Sequence, residues 1–170
     1  MKIAIASDIH GSALWCKRLI DALEAEQPDQ IILLGDLLYH GPRNPLPDGY
    51  APAEVAGMLN ALVTRITAVR GNCDSEVDQM VLDFPCMADY TLVVDGDQKL
   101  FCTHGHVFAP DNPPQLEAGT IFLSGHTHVK VDETRDGIRF VNPGSISLPK
   151  DGTHSFAMYE NGTIETRSLE

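Results

Sequence analysis

Apolar and polar positions change period halfway along this chain. Lys2 to Ala6 is a short β-rich apolar run, the length of a strand buried on both faces. From Ser12 to Glu26 the apolar residues Cys16, Leu19, Ile20 and Leu23 fall at i, i+3, i+4 and i+7, one face of a helix. Gln30 to Leu34 is again of strand length. Val55, Met58, Leu59, Leu62 and Val63 repeat the helical spacing, so a helix is predicted over Pro52 to Val63. Ile66 to Val69 reads as a third strand. Alternating strand and helix predicts βαβαβ units and parallel pairing.

The second half reads differently. Tyr90 to Val94 and Lys99 to Thr103 flank Asp95-Gly96-Asp97-Gln98, the pattern of a hairpin. Ile121 to Leu123 is another short strand. Asp136-Gly137 and Asn161-Gly162 are two-residue turns, the first between Val129–Arg135 and Ile138–Val141, the second between Ser155–Glu160 and Thr163–Arg167. The expected fold is α/β: a four-layer α/β/β/α sandwich of two mixed β-sheets flanked by helices, with a single mixed sheet as the fallback. Residues 35–51 hold three prolines and no period, and are predicted to be a long loop of the kind that is often functional.

Five polar clusters follow five of these strands directly. They are Asp8-Ile9-His10, Gly35-Asp36, Gly71-Asn72-Cys73-Asp74, His104-Gly105-His106 and Gly125-His126-Thr127-His128. In open α/β sheets, ligands sit outside the carboxyl ends of the strands. One Asp-x-His or Gly-His-x-His is a weak indicator by itself. Five clusters at five strand ends point to one convergent metal site. Histidine and carboxylate donors without obligatory thiolates suit divalent Mn, Fe, Zn or Ni, and the donors suffice for two ions. Neighbouring glycines allow close backbone approach.

Length and charge narrow the setting. At 170 residues the chain is expected to form one domain, residues 1–170. No window carries the ~18 uncharged apolar residues of a membrane span. The formal net charge of −12 argues against sequence-independent nucleic-acid binding. Four cysteines show no Cys-x-x-Cys spacing, and the first residues do not read as a secretory signal. Reduced thiols and a cytoplasmic location are expected.

The clusters resemble the motifs of the calcineurin-like metallophosphoesterases, whose Asp-x-His, Gly-Asp, Gly-Asn-His-Asp/Glu, His and Gly-His-x-His blocks occur here in that order. The stretches 35–44, 69–76 and 142–145 are similar to those of the small YfcE-type bacterial phosphodiesterases. The resemblance covers nearly the whole chain. It implies that Asp8, His10 and His128 hold one metal, that Asn72, His104 and His126 hold the other, and that Asp36 bridges them. It also implies in-line attack on a phosphodiester by a hydroxide bridging the two ions, Mn²⁺ being expected ahead of Zn²⁺, Ni²⁺ or Fe²⁺, and a homo-oligomeric assembly.

One block departs from the wider pattern. Cys73 stands where most of the superfamily has histidine, a trait shared with the YfcE-type subgroup. The residues expected to do catalytic work are Cys73, Asp74 (or else Asp74 hydrogen-bonds a ligand or positions its loop) and, as a replacement proton donor, His40, whose alternative is a loop-stabilising hydrogen bond. Asn72, Arg43 and His40 are the candidates for binding a small phosphodiester substrate. His106 is expected to lie outside the ligand set, and His154 and the turn 142–145 to be structural. A phosphomonoesterase or nucleotide hydrolase on the same site is the alternative activity. A non-catalytic scaffold of the same fold, like the retromer subunit that resembles this family, is the reading from another class.

Overall fold

A computed structural model describes all residues from Met1 to Glu170. Two five-stranded mixed sheets face each other. The first has the order β10-β9-β1-β2-β3. Here β1 (Lys2–Ala6), β2 (Gln30–Leu33) and β3 (Ile66–Ala68) run parallel, β9 (Ser155–Glu160) pairs antiparallel with β1, and β10 (Thr163–Ser168) pairs antiparallel with β9. The second has the order β4-β5-β6-β8-β7. In it β5 (Gln98–Thr103), β6 (Ile121–Leu123) and β8 (Ile138–Asn142) are parallel, while β4 (Tyr90–Asp95) and β7 (Val131–Arg135) close the edges in antiparallel pairings.

The continuous apolar runs are explained by burial on both faces. Ile3, Ile5, Ile32 and Leu34 point between the sheets and meet Leu100, Cys102, Ile121 and Leu123. The alternate residues Ala4, Ala6, Ile31 and Leu33 point outward and carry the helices α1 (Ala13–Glu26) and α2 (Pro52–Asn60). Ser12 caps α1, accepting from the Trp15 backbone N–H at 3.3 Å. The predicted second helix ends at Asn60, and Val63–Arg65 continue as a single 3-10 turn. A four-residue helix α3 (Glu76–Gln79), too short to show a period in sequence, follows the third polar cluster.

The fold is the expected α/β sandwich of two mixed sheets, and the one difference of detail is the cover on the outer face of the second sheet. No helix covers that face. Phe101, Phe122, Ile138 and Phe140 are covered instead by Phe108 and Leu116 of the irregular segment 104–120. That segment contains Pro110, Pro113 and Pro114, which interrupt any helical run.

Candidate metal centre

The carboxyl ends of the parallel strands of both sheets meet at one edge of the sandwich. β1 delivers Asp8 and His10, β2 delivers Asp36, and β3 leads to Asn72. β5 delivers His104, and β6 leads to His126 and His128. The two sheets are tied together there. The His126 N–H donates to Asp8 Oδ2 at 3.0 Å, and His104 Nδ1 donates to the Leu34 carbonyl at 2.7 Å.

Five of these side chains stand on left-handed backbone: Asp8 (φ 58°), His10 (49°), Asp36 (55°), His126 (69°) and His128 (61°). The other non-glycine residues in that region are Gln27 at the end of α1 and Asp136 and Asn161 in hairpin turns. Such backbone costs an ordinary residue about 1–3 kcal/mol and persists where the surroundings over-determine it. Here it turns consecutive side chains of short loops toward one point. Gly71 and Gly125 make room: a Cβ on Gly71 would strike Asp36 Oδ1, and one on Gly125 would strike Ser7 Oγ.

Three histidines present the same ring atom to the site. His10, His104 and His128 each donate Nδ1–H to a backbone carbonyl, of Tyr39 (2.8 Å), Leu34 (2.7 Å) and Leu148 (2.7 Å). This fixes the tautomer and leaves the Nε2 lone pair facing inward, as in metal-ligating histidines. His10 Nε2 and His128 Nε2 are 3.2 Å apart. Two lone pairs at that distance repel unless a positive charge lies between them. Asp8 Oδ1 lies 3.2 Å from His128 Nε2 and 3.7 Å from His10 Nε2; it is buried and accepts no hydrogen bond. Asp36 Oδ2 lies between the two groups, 3.6 Å from His10 Nε2 and 3.4 Å from His104 Nε2. Asn72 Oδ1 is 3.1 Å from His104 Nε2. The His126 ring sits edge-on to His104, centroids 5.1 Å apart, and lines the cleft above.

The donors fit divalent cations on this geometry. Burial by itself would raise the Asp8 carboxyl, yet His10, His128 and His104 hold it well below the usual carboxylate range. Burial would likewise lower His104, yet Asp36 and Asp8 push it up to about 9. Without a metal the cluster draws in a proton to supply positive charge. A metal ion supplies that charge better and displaces the proton.

Comparison with known proteins agrees with this arrangement. Residues 1–163 match the calcineurin-like phosphoesterase superfamily domain. The chain belongs to this superfamily. It is 47% identical to phosphodiesterase YfcE of Escherichia coli K12 over 99% of this chain and 92% of that one. The solved structure of the E. coli phosphoesterase superposes with a TM-score of 0.93 at 43% identity, covering both chains fully. Vps29 of Entamoeba histolytica, solved in complex with zinc, shares the fold at 19% identity and a TM-score of 0.64, again over both full chains.

Around the cluster of this calcineurin-like phosphoesterase lies a cleft of about 450 Å³ lined by Asp36, Asn72, His126 and His128 and, at its rim, Arg43, Asn44 and Lys150. Arg43 is therefore at the cleft, as expected. Lys150 was not singled out by the sequence: it lies just past the turn 142–145 with no motif of its own. Its backbone N–H donates to the His128 carbonyl at 2.9 Å, which sets it beside the site.

Two residues expected to be catalytic are placed elsewhere. The His40 ring packs edge-on to Tyr39 and Tyr50, 4.9 and 5.3 Å between centroids, and its Nδ1 meets the Asn44 carbonyl at 3.3 Å; it braces the long loop and does not line the cleft. Asp74 is buried beneath the cluster. Its carboxylate accepts the backbone N–H groups of Asp36 (2.8 Å), Leu37 (2.8 Å) and Gly71 (2.7 Å), so it positions loops rather than meeting a substrate. Cys73 is close to His10 and Asp36; burial, then the Asp36 charge, pushes its thiol up to about 12. His106 stands outside the close donor groups, 5.3 Å edge-on from His104. His154 stacks flat on Trp15, centroids 3.3 Å apart. The turn 142–145 does more than turn: Ser145 Oγ donates to the Asp8 carbonyl at 2.9 Å, and Asn142 Nδ2 donates to the Gly125 carbonyl at 2.7 Å.

Proposed function

We propose that this chain is a metal-dependent phosphodiesterase acting on a small phosphodiester, with Mn²⁺ the preferred ion and Zn²⁺, Ni²⁺ or Fe²⁺ as substitutes. The observation that carries the reading is the set of three buried histidines whose Nε2 lone pairs converge on two buried carboxylates at the foot of an open cleft. Asp8, His10 and His128 would hold one ion, and Asn72, His104 and His126 the other, with Asp36 shared between them. Bound divalent ions acidify a water and polarise phosphoryl oxygens. Asp36 suits the shared position because its Oδ1 is already fixed by the Cys73 N–H at 2.7 Å, leaving Oδ2 free. The shared orientation of the three imidazoles, with Nδ1–H held by backbone carbonyls, leaves Nε2 as the atom that would meet the ions. The relative named a phosphodiesterase, 47% identical, supports the diester preference.

The test sets bis(p-nitrophenyl) phosphate against p-nitrophenyl phosphate, with chelator-stripped protein resupplied with Mn²⁺, Zn²⁺, Ni²⁺ or Mg²⁺. Metal-restored turnover that favours the diester is expected. Asp36→Asn is expected to lower it about a hundredfold or more, since even residues one shell further out cost 10–100-fold. A monoester preference overturns the diester assignment. No turnover with any ion overturns the enzyme reading in favour of a scaffold.

A further inference from the structure

The chain carries twice as many acidic as basic residues, 24 against 12. Its cations are accordingly taken up. Most Lys and Arg hold a carboxylate within ion-pair distance. Arg18 lies 4.5 Å over the Trp15 ring, and Arg65 reaches the Pro28 carbonyl. Arg43 and Lys150 alone have neither an ion pair, a side-chain hydrogen bond nor an aromatic partner. Both are at the rim of the metal cleft. They come from unrelated segments, the long loop after β2 and the turn region after β8. The nearest acid in sequence, Asp151, is taken by Lys130 at 2.8 Å.

Charge in the cleft says what two free cations are for. Two divalent ions held there would supply four positive charges. Asp8 and Asp36 would return two, and an ionised water a third. One positive charge would remain, and the single negative charge of a phosphodiester would cancel it. Arg43 and Lys150 then exceed what the scissile group needs. A terminal phosphate carries about 1.5 to 2 negative charges at neutral pH, which two cations match. The guanidinium fork suits phosphate oxygens, and the ammonium of a lysine binds them as a point charge.

We propose that Arg43 and Lys150 bind a second phosphate group, borne by the phosphodiester substrate outside its scissile linkage. The proposal rests on the phosphodiesterase reading for its substrate and on the unpaired cations for its site. In a molecule of net charge −12, these two residues also offset the field that repels a multiply charged substrate.

The test uses two esters that differ by one phosphate: thymidine 5′-(p-nitrophenyl phosphate) and its 3′-phosphorylated counterpart, with the Mn²⁺-loaded full chain. The wild type is expected to favour the 3′-phosphorylated ester by about tenfold or more in kcat/KM, the scale of one charge-assisted contact. Lys150→Ala and Arg43→Ala should each shrink that ratio, chiefly through KM, and the double variant should bring it near one. Lys150→Arg should keep most of it. A second arm measures binding by calorimetry: thymidine 3′,5′-bisphosphate should bind the wild type more tightly than thymidine 5′-monophosphate, and the double variant should not distinguish them. A ratio near one in the wild type, or one untouched in the double variant, overturns the proposal. If the wild type cleaves neither ester, the phosphodiesterase reading fails, and the calorimetric arm alone decides whether the cations recognise a second phosphate.

Discussion

Asp74 meets no cleft-facing side chain, and yet it sets where Asp36 and the 71–74 loop stand. Its two oxygens gather three backbone N–H groups from two loops. Asp74→Asn keeps the shape and removes one acceptor oxygen. It is expected to destabilise the fold by about 1–3 kcal/mol, the cost of a buried donor left unmatched. It is also expected to lower metal affinity 10–100-fold, as loss of a ligand's supporting bond does. Urea unfolding and metal titration check the two numbers. At this scale the sequence was a good guide to chemistry and a poor one to placement. Asp8, His10, Asp36, His104 and His128 could be singled out because each belongs to a short polar cluster within five residues of a strand's end. For Asp74 a loop-positioning role was legible as an alternative, but its partners were not, because Asp36 and Leu37 lie 38 and 37 positions away and reach it only after β2 and β3 align. His40 takes its loop-stabilising alternative because Tyr39 and Tyr50 hold its ring, a contact that has no pattern along the chain.

Among the elements, the hairpins were the most legible. Asp136 and Asn161 adopt the left-handed backbone that their two-residue turns require, and the flanking strands pair in the register those turns impose. The cover over the second sheet was the least legible, since segment 104–120 has neither a helical nor a strand period. It is held by a few apolar anchors, Phe108 and Leu116, against Phe101 and Phe122. Phe108 is only half-buried. Phe108→Ala is therefore expected to cost about 2 kcal/mol, below the 3–5 typical of a core phenylalanine. Amide exchange should rise across 104–120 while β1 and β2 stay protected, because the anchor serves that segment alone. Equal loosening of both regions in exchange measurements would contradict this division.

For the whole molecule, the metal cluster joins the two sheets, so ions should act on global stability. An ion that binds only the folded chain, present at about 100 times its dissociation constant, adds about 2.7 kcal/mol. For a chain of this length that raises Tm by about 5–10 °C. Chelation should reverse the shift and Asp36→Asn should abolish it; differential scanning calorimetry with and without Mn²⁺ checks both. No helix is long and apolar enough to cross a membrane. The left-handed backbone at Asp8, His10, Asp36, His126 and His128 bears on how this molecule can change over generations or in the laboratory. Without metal, the folded chain still holds left-handed backbone at its ligand loops, and replacements that suit that backbone relieve it: glycine at His10, His126 or His128. Each relaxes the fold as it disables the site. Selection for heat resistance in metal-free medium would therefore drift toward inert descendants, and a thermostabilising campaign on this chain has to be run with the ion present.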